Sequence, residues 1–231
     1  MREGPFETEK AGRNMGITHD IEHVHEKDFS DVGGWPALDY VNTVSGLVRG
    51  TLSEDMFNGY TDLVAWDRTN DLLDQPAADR LLARAGRFPG KAKEVLERGH
   101  ALRLAIYRVF SDVSAGRTPN PTALETINSE VAAAMQHARI EPDDEGFRWT
   151  WRDTGTELES VLWPVATSAA DLLVSHKLER VRSCQSETCG WLFLDMSKNR
   201  SRRWCSMSDC GNTAKARRHY HRKVKGVVVA N

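Results

Sequence analysis

Four cysteines, Cys184, Cys189, Cys205 and Cys210, are the residues of this sequence best placed to do chemistry. They fall as C-x4-C, a spacer of 15 residues, and C-x4-C again. Two short loops then present two thiolates each, and two such loops can close four sulfurs around one ion. Zinc prefers a tetrahedral sulfur set of this kind, and four thiolates leave no open position for water. The site is therefore expected to be structural, with one Zn²⁺ as the cofactor. An iron–sulfur cluster also takes four cysteines and stays open as the lesser reading. A pair of disulfides would need an oxidising compartment that nothing else in the sequence supports.

The same stretch carries the densest positive charge. Residues 177–231 hold 13 Lys and Arg against 4 Asp and Glu, a balance of +9. The first 176 residues are left with −11, so the formal net charge of −2 hides an acidic body joined to a basic C-terminal module. Such segregation points to an anionic partner for the basic part. Between the cysteine pairs, "WLFLD" reads as an apolar strand and "SKNRS" as a turn. A helix is expected from about Asp209 or Cys210 through "GNTAKARRHYHRK". At helical spacing Ala216, Tyr220 and Val224 share one stripe, expected to pack, and Lys215, Arg218 and Arg222 share another, facing outward. Arg202, Arg203, Lys215, Arg217, Arg218 and Arg222 are the candidate phosphate contacts, and Asn212 either orients the turn after Cys210 or touches a base. Trp191 and Trp204 are read as packing around the sulfurs. A module this small lacks the apolar surface to fold alone, so the metal supplies folding energy.

The elements that must carry this module lie upstream. Residues 1–32 are polar and without periodicity, and Gly33-Gly34 closes them off. "WPALDYVNT" (35–43) reads as an extended or turn segment. From Thr61, taken as an N-cap, the pattern turns helical: "TDLVAWDRTNDLL", "QPAADRLLARAGR", the long "KAKEVLERGHALRLAIYRVFSDVSAG" and "PTALETINSEVAAAM". "ARIEPDDEGFRWTWRD" alternates about a turn and predicts a hairpin with Trp149 and Trp151 on one face. "ELESVLWPVATSAADLLVSH" is helical again. With 40% hydrophobic and 28% charged residues the composition is that of a globular chain. No apolar run reaches the roughly 20 residues of a membrane helix. The first residues show no apolar core of a signal peptide, which points to a cytoplasmic, reducing location.

"HDIEH" fits H-x-x-E-H through His19, Glu22 and His23, but that chemistry needs a rigid helix and a third ligand, and the motif sits in a polar arm. No G-x-S-x-G elbow, phosphate loop or dinucleotide fingerprint is present. The chain is read as no enzyme.

"CGWLFLD", "RRWCSM" and "CGNTAKARRHYHR" resemble the CGNR zinc-finger family of bacterial proteins, named for a Cys-Gly-Asn-Arg signature. Here it reads Cys210-Gly211-Asn212-Thr213, so its Arg is replaced. "ALDYVNT" (37–43), "DLVAW" (62–66), "LRLAIYRVFSDVSAGR" (102–117) and "ADLLVSHKLERVRSC" (170–184) resemble the ABATE domain that accompanies this finger. The resemblance implies a stress-responsive transcription regulator that binds DNA. Within the upstream domain Asp39 and Asn42 are candidate ligand contacts, weighed against a role as caps of a turn.

The expected architecture is mainly α with a small β element: an arm over 1–32, an ABATE-like mostly helical domain over 33–176, a CGNR-type finger of β-hairpin plus helix over 177–225, and a tail over 226–231. The expected function is a DNA-binding regulator whose finger presents a basic helix while the helical domain senses a ligand or partner. The alternative is a zinc-stabilised module that docks on protein or RNA without reading DNA sequence. One finger alone binds weakly, so a homodimer is compatible with the first reading.

Overall fold

A computed structural model describes residues 29–45, 54–144, 146–218 and 220. The H-x-x-E-H motif, Arg222, Val224 and the tail lie outside the described residues, as does most of the N-terminal arm.

Helix α4 (Pro89–Ser114) is the spine of the molecule. Its buried Val95, Leu102, Ile106, Val109 and Phe110 repeat at helical spacing and so form one apolar stripe. Around it pack α1 (Pro36–Val41), α2 (Tyr60–Thr69), α3 (Gln75–Arg87) and α5 (Pro121–Met135), with α6 (Trp163–Val174) against α1 and α5. Arg98 of α4 makes a two-pronged ion pair with Glu130 of α5, at 3.0 and 2.8 Å, which fixes the register of that pair. α3 and α5 start as the sequence predicts. Asp74 and Asn120 each accept a hydrogen bond from the third helical amide, and Pro76 and Pro121 stand in first turns. Gly116, at φ +68°, lies just beyond α4 in a backbone conformation that glycine adopts without strain. No helix of the described residues is long and apolar enough to cross a membrane.

Strands β1 (Ala138–Asp143) and β2 (Gly146–Trp151) form the expected antiparallel hairpin, with Ile140 opposite Trp149. Strands β3 (Val181–Ser183) and β4 (Leu192–Leu194) form a second, with Val181 opposite Leu194. A mainly helical chain with two small strand pairs is thus the fold class the sequence indicates.

Three local expectations are corrected. Residues 36–41 are helical, not extended: Pro36 presets the first turn, and Leu38, Tyr40 and Val41 are drawn into the core. Six residues are too few for a helical period to show in the sequence. Thr61 is not the cap of α2. Gly59 holds that position, and the Asp62 carboxylate reaches back to the amides of Asn58 (2.7 Å) and Gly59 (3.0 Å). Further along, Ala216 and Tyr220, expected to pack, are exposed.

Candidate metal centre

Hairpin β3–β4 shows why the cysteines meet. Side chains alternate along a strand. Leu192 and Leu194 point into the core shared with α1 and α4, while Phe193 between them packs on the cysteines. The loop joining the two strands contains Cys184 and Cys189. The Cys184 amide donates to the Trp191 carbonyl at 2.8 Å, and the Cys189 amide to the Ser186 carbonyl at 3.3 Å. The second loop is set by Asp195, whose fully buried carboxylate accepts from the amides of Ser197 and Arg202, both at 2.9 Å. It ends in a π-helical turn (Met207–Gly211) that runs into a helix, α7, over 212–218.

The four sulfurs lie within 4.8 Å of one another. Cys189 and Cys205 stand 3.6 Å apart, Cys205 and Cys210 3.7 Å. A tetrahedral zinc with Zn–S of about 2.3 Å sets its sulfurs about 3.8 Å apart, so the set fits one zinc ion. It is too tight for a cluster of several irons. Charge points the same way. Hydrogen bonds from Cys189 and Cys205 pull the Cys184 thiol far down, to about 2. Sharing those bonds pushes Cys189 up to about 12 and Cys205 further, and burial raises Cys210. Four thiolates held this close need a cation among them. Trp191, Trp204 and Val32 wall the sulfurs.

The candidate phosphate contacts separate into two groups. Arg202 is turned inward: it donates to the carbonyls of Trp204 and Cys205, and its guanidinium lies 4.5 Å from the Phe193 ring centre. It braces the second cysteine loop. Arg203, Lys215, Arg217 and Arg218 are exposed. Arg203 and Arg218 lie 5.2 and 5.9 Å from the Trp204 ring centre. Both line a groove of ≈330 Å³ between the first cysteine loop and α7, with Gln185, Glu187 and Arg217. Gln185 accepts from Arg203 at 2.6 Å, and Glu187 pairs with Arg217 at 2.6 Å. Asn212 donates to the Ser208 carbonyl at 2.9 Å, tying α7 to the turn before it. Thr213, at the altered signature position, is exposed and lines the same groove.

Asp39 and Asn42 are buried, with side chains taken up by backbone groups. Asp39 accepts from the Gly33 amide at 2.7 Å. Asn42 clamps β4, donating to the Leu192 carbonyl at 2.9 Å and accepting from its amide at 3.0 Å. Trp191 adds a bond to the Val44 carbonyl at 3.0 Å. Sequence reasoning missed this joint, because its partners stand 150 residues apart. It also missed Asp195, although an Asp two residues before a Ser, after an apolar strand, is a turn signal.

A family model described as "ABATE: putative stress-induced transcription regulator" matches residues 34–176, and one for the CGNR zinc finger matches residues 180–223, in that order along the chain. No curated protein matches the chain.

Proposed function

Since the chain belongs to the ABATE family and carries a CGNR zinc finger behind that domain, we propose that it is a transcription regulator whose finger lies against DNA phosphates through the groove beside α7. The observation that carries this reading is the exposed cationic wall of that groove, Arg203 and Arg218 beside Trp204 with Lys215 close by in sequence. Guanidinium groups present several donors in a fixed fork that suits phosphate, and an indole beside them restricts their rotamers. Arg202 serves as a brace in this reading and not as a contact.

The helical domain receives the signal, a ligand or a partner. Asn42 and the shared core around Leu192 and Leu194 supply the mechanical link, because a shift of α1 moves the strand that carries the first cysteine loop. Asp39 and Asn42 act as positioning residues in that link.

The test is binding of the zinc-loaded full chain to sheared genomic DNA, read by fluorescence anisotropy. The Lys215→Ala/Arg218→Ala variant should bind about tenfold or more weakly, the loss expected for one to two charge-assisted contacts. Lys93→Ala, an exposed change on α4, should bind as the parent does. Equal binding by the parent and the double variant, with zinc content intact, would remove the DNA reading and favour a protein or RNA partner.

A further inference from the structure

The hairpin β1–β2 carries one apolar face that nothing in the described residues covers. Cross-strand register places Ile140 opposite Trp149 and Pro142 opposite Phe147, all on the same side by the two-residue alternation of strands. Ile140 is 62% exposed, Phe147 79% and Trp149 50%. The other face is ionic and polar: Arg139, Glu141, Asp143, Arg148 and Thr150, with Glu141 opposite Arg148. An isolated two-stranded hairpin is marginal in water, and one that holds out large apolar side chains is stabilised by a cover. Its base is fixed to the body. His137 stacks on Trp163 with ring centres 4.2 Å apart, the Arg152 amide donates to the His137 carbonyl at 2.7 Å, and Trp151 leans on Trp163 at 6.3 Å. The face is therefore held in place.

We propose that this face is a dimer interface, and that a second copy of the chain covers it by stacking the same hairpin about a two-fold axis. Area and composition support this occupant. The three exposed side chains offer roughly 400 Å² of apolar surface per protomer, given about 150–250 Å² for a large side chain. Two copies that cover all of it bury roughly 800 Å² from these residues alone, and Pro142 and Trp151, on the same face by register, must supply the rest of the roughly 1,000 Å² that a specific interface clears. The patch contains no charge, so it meets its own image without an unpaired ion, as an isologous contact requires. An acidic or basic partner would find nothing to pair with on this side. The charged side chains of the other face stay in water.

The experiment is sedimentation of the zinc-loaded full chain from about 1 to 100 µM. The parent should dimerise within that range. Phe147→Ser/Trp149→Ser should raise the dissociation constant about 100-fold or more, since central aromatic residues carry most of such an interface. Ile140→Lys should do the same by putting an ammonium group into the apolar face of each protomer. Arg139→Ala, on the opposite face, should leave the dimer unchanged. Because the replaced side chains are exposed, zinc content and thermal midpoint should stay at parent values in each case. A parent that remains monomeric to 100 µM overturns the inference, and so does a dimer that survives both the double variant and Ile140→Lys. The inference stands or falls independently of DNA binding.

Discussion

At the scale of single residues, Asp39 shows how burial is set against a needed bond. Removal from water pushes its carboxyl up, to about 6, with Asp31 pushing the same way; amide bonds, chiefly from Gly33, hold it back. The close approach depends on Gly33, because a Cβ there would stand 2.7 Å from the carboxylate oxygen. A carboxyl whose folded pKa exceeds its unfolded value of about 3.9 binds its proton more tightly in the folded state. It therefore contributes stability that is complete below about pH 4 and is lost as pH rises through about 6. Asp39→Asn removes the titration and keeps an oxygen for the Gly33 amide. Its stability relative to the parent, from urea midpoints, should rise between about pH 4 and 6.5 and then level off. A difference that does not change with pH would show that the Asp39 carboxyl binds its proton equally in the folded and unfolded chain.

At the scale of elements, β4 belongs to two cores at once. Leu192 and Leu194 pack into the helical core while Phe193 packs on the cysteines. The strand is held by backbone and amide bonds that owe nothing to metal: Leu192 to Asn42, Leu194 to the Gly33 carbonyl at 2.8 Å. Chelation of zinc should accordingly divide the finger. Hydrogen exchange should show protection lost over 184–189, 205–211 and α7, where four thiolates without a cation repel, while the amides of Leu192 and Leu194 stay protected. Simultaneous loss of both sets would mean that the metal holds the hairpin as well. The sequence discloses these levels unequally. The metal site is legible because its ligands come in two local pairs. The long helices are legible because their periods run over many residues. Helix α1 is too short to show a period, and the Asn42 clamp joins distant residues. Arg202 and Arg218 look alike in sequence, since only the fold decides that one braces a loop and the other lies on the surface.

At the scale of the molecule, a formal charge of −2 would suggest a chain that avoids nucleic acid, yet the last 55 residues carry +9. Association with a polyanion follows the local field, because charges beyond about 10 Å are screened at ordinary salt. Two readings of the proposed DNA contact can then be separated. If net charge governed binding, any glutamate neutralised anywhere would help equally. If the groove governs it, Glu187 matters most, because it lines the groove and occupies Arg217 at 2.6 Å. Glu187→Gln frees a guanidinium for the duplex. It should tighten binding several-fold and steepen the slope of log K against log salt by about 1, the increment for one further neutralised phosphate. Glu97→Gln, on the exposed side of α4 beside Lys93, changes net charge by the same amount and should alter neither. Equal effects from the two glutamines would assign binding to overall charge and leave the groove without a role in it.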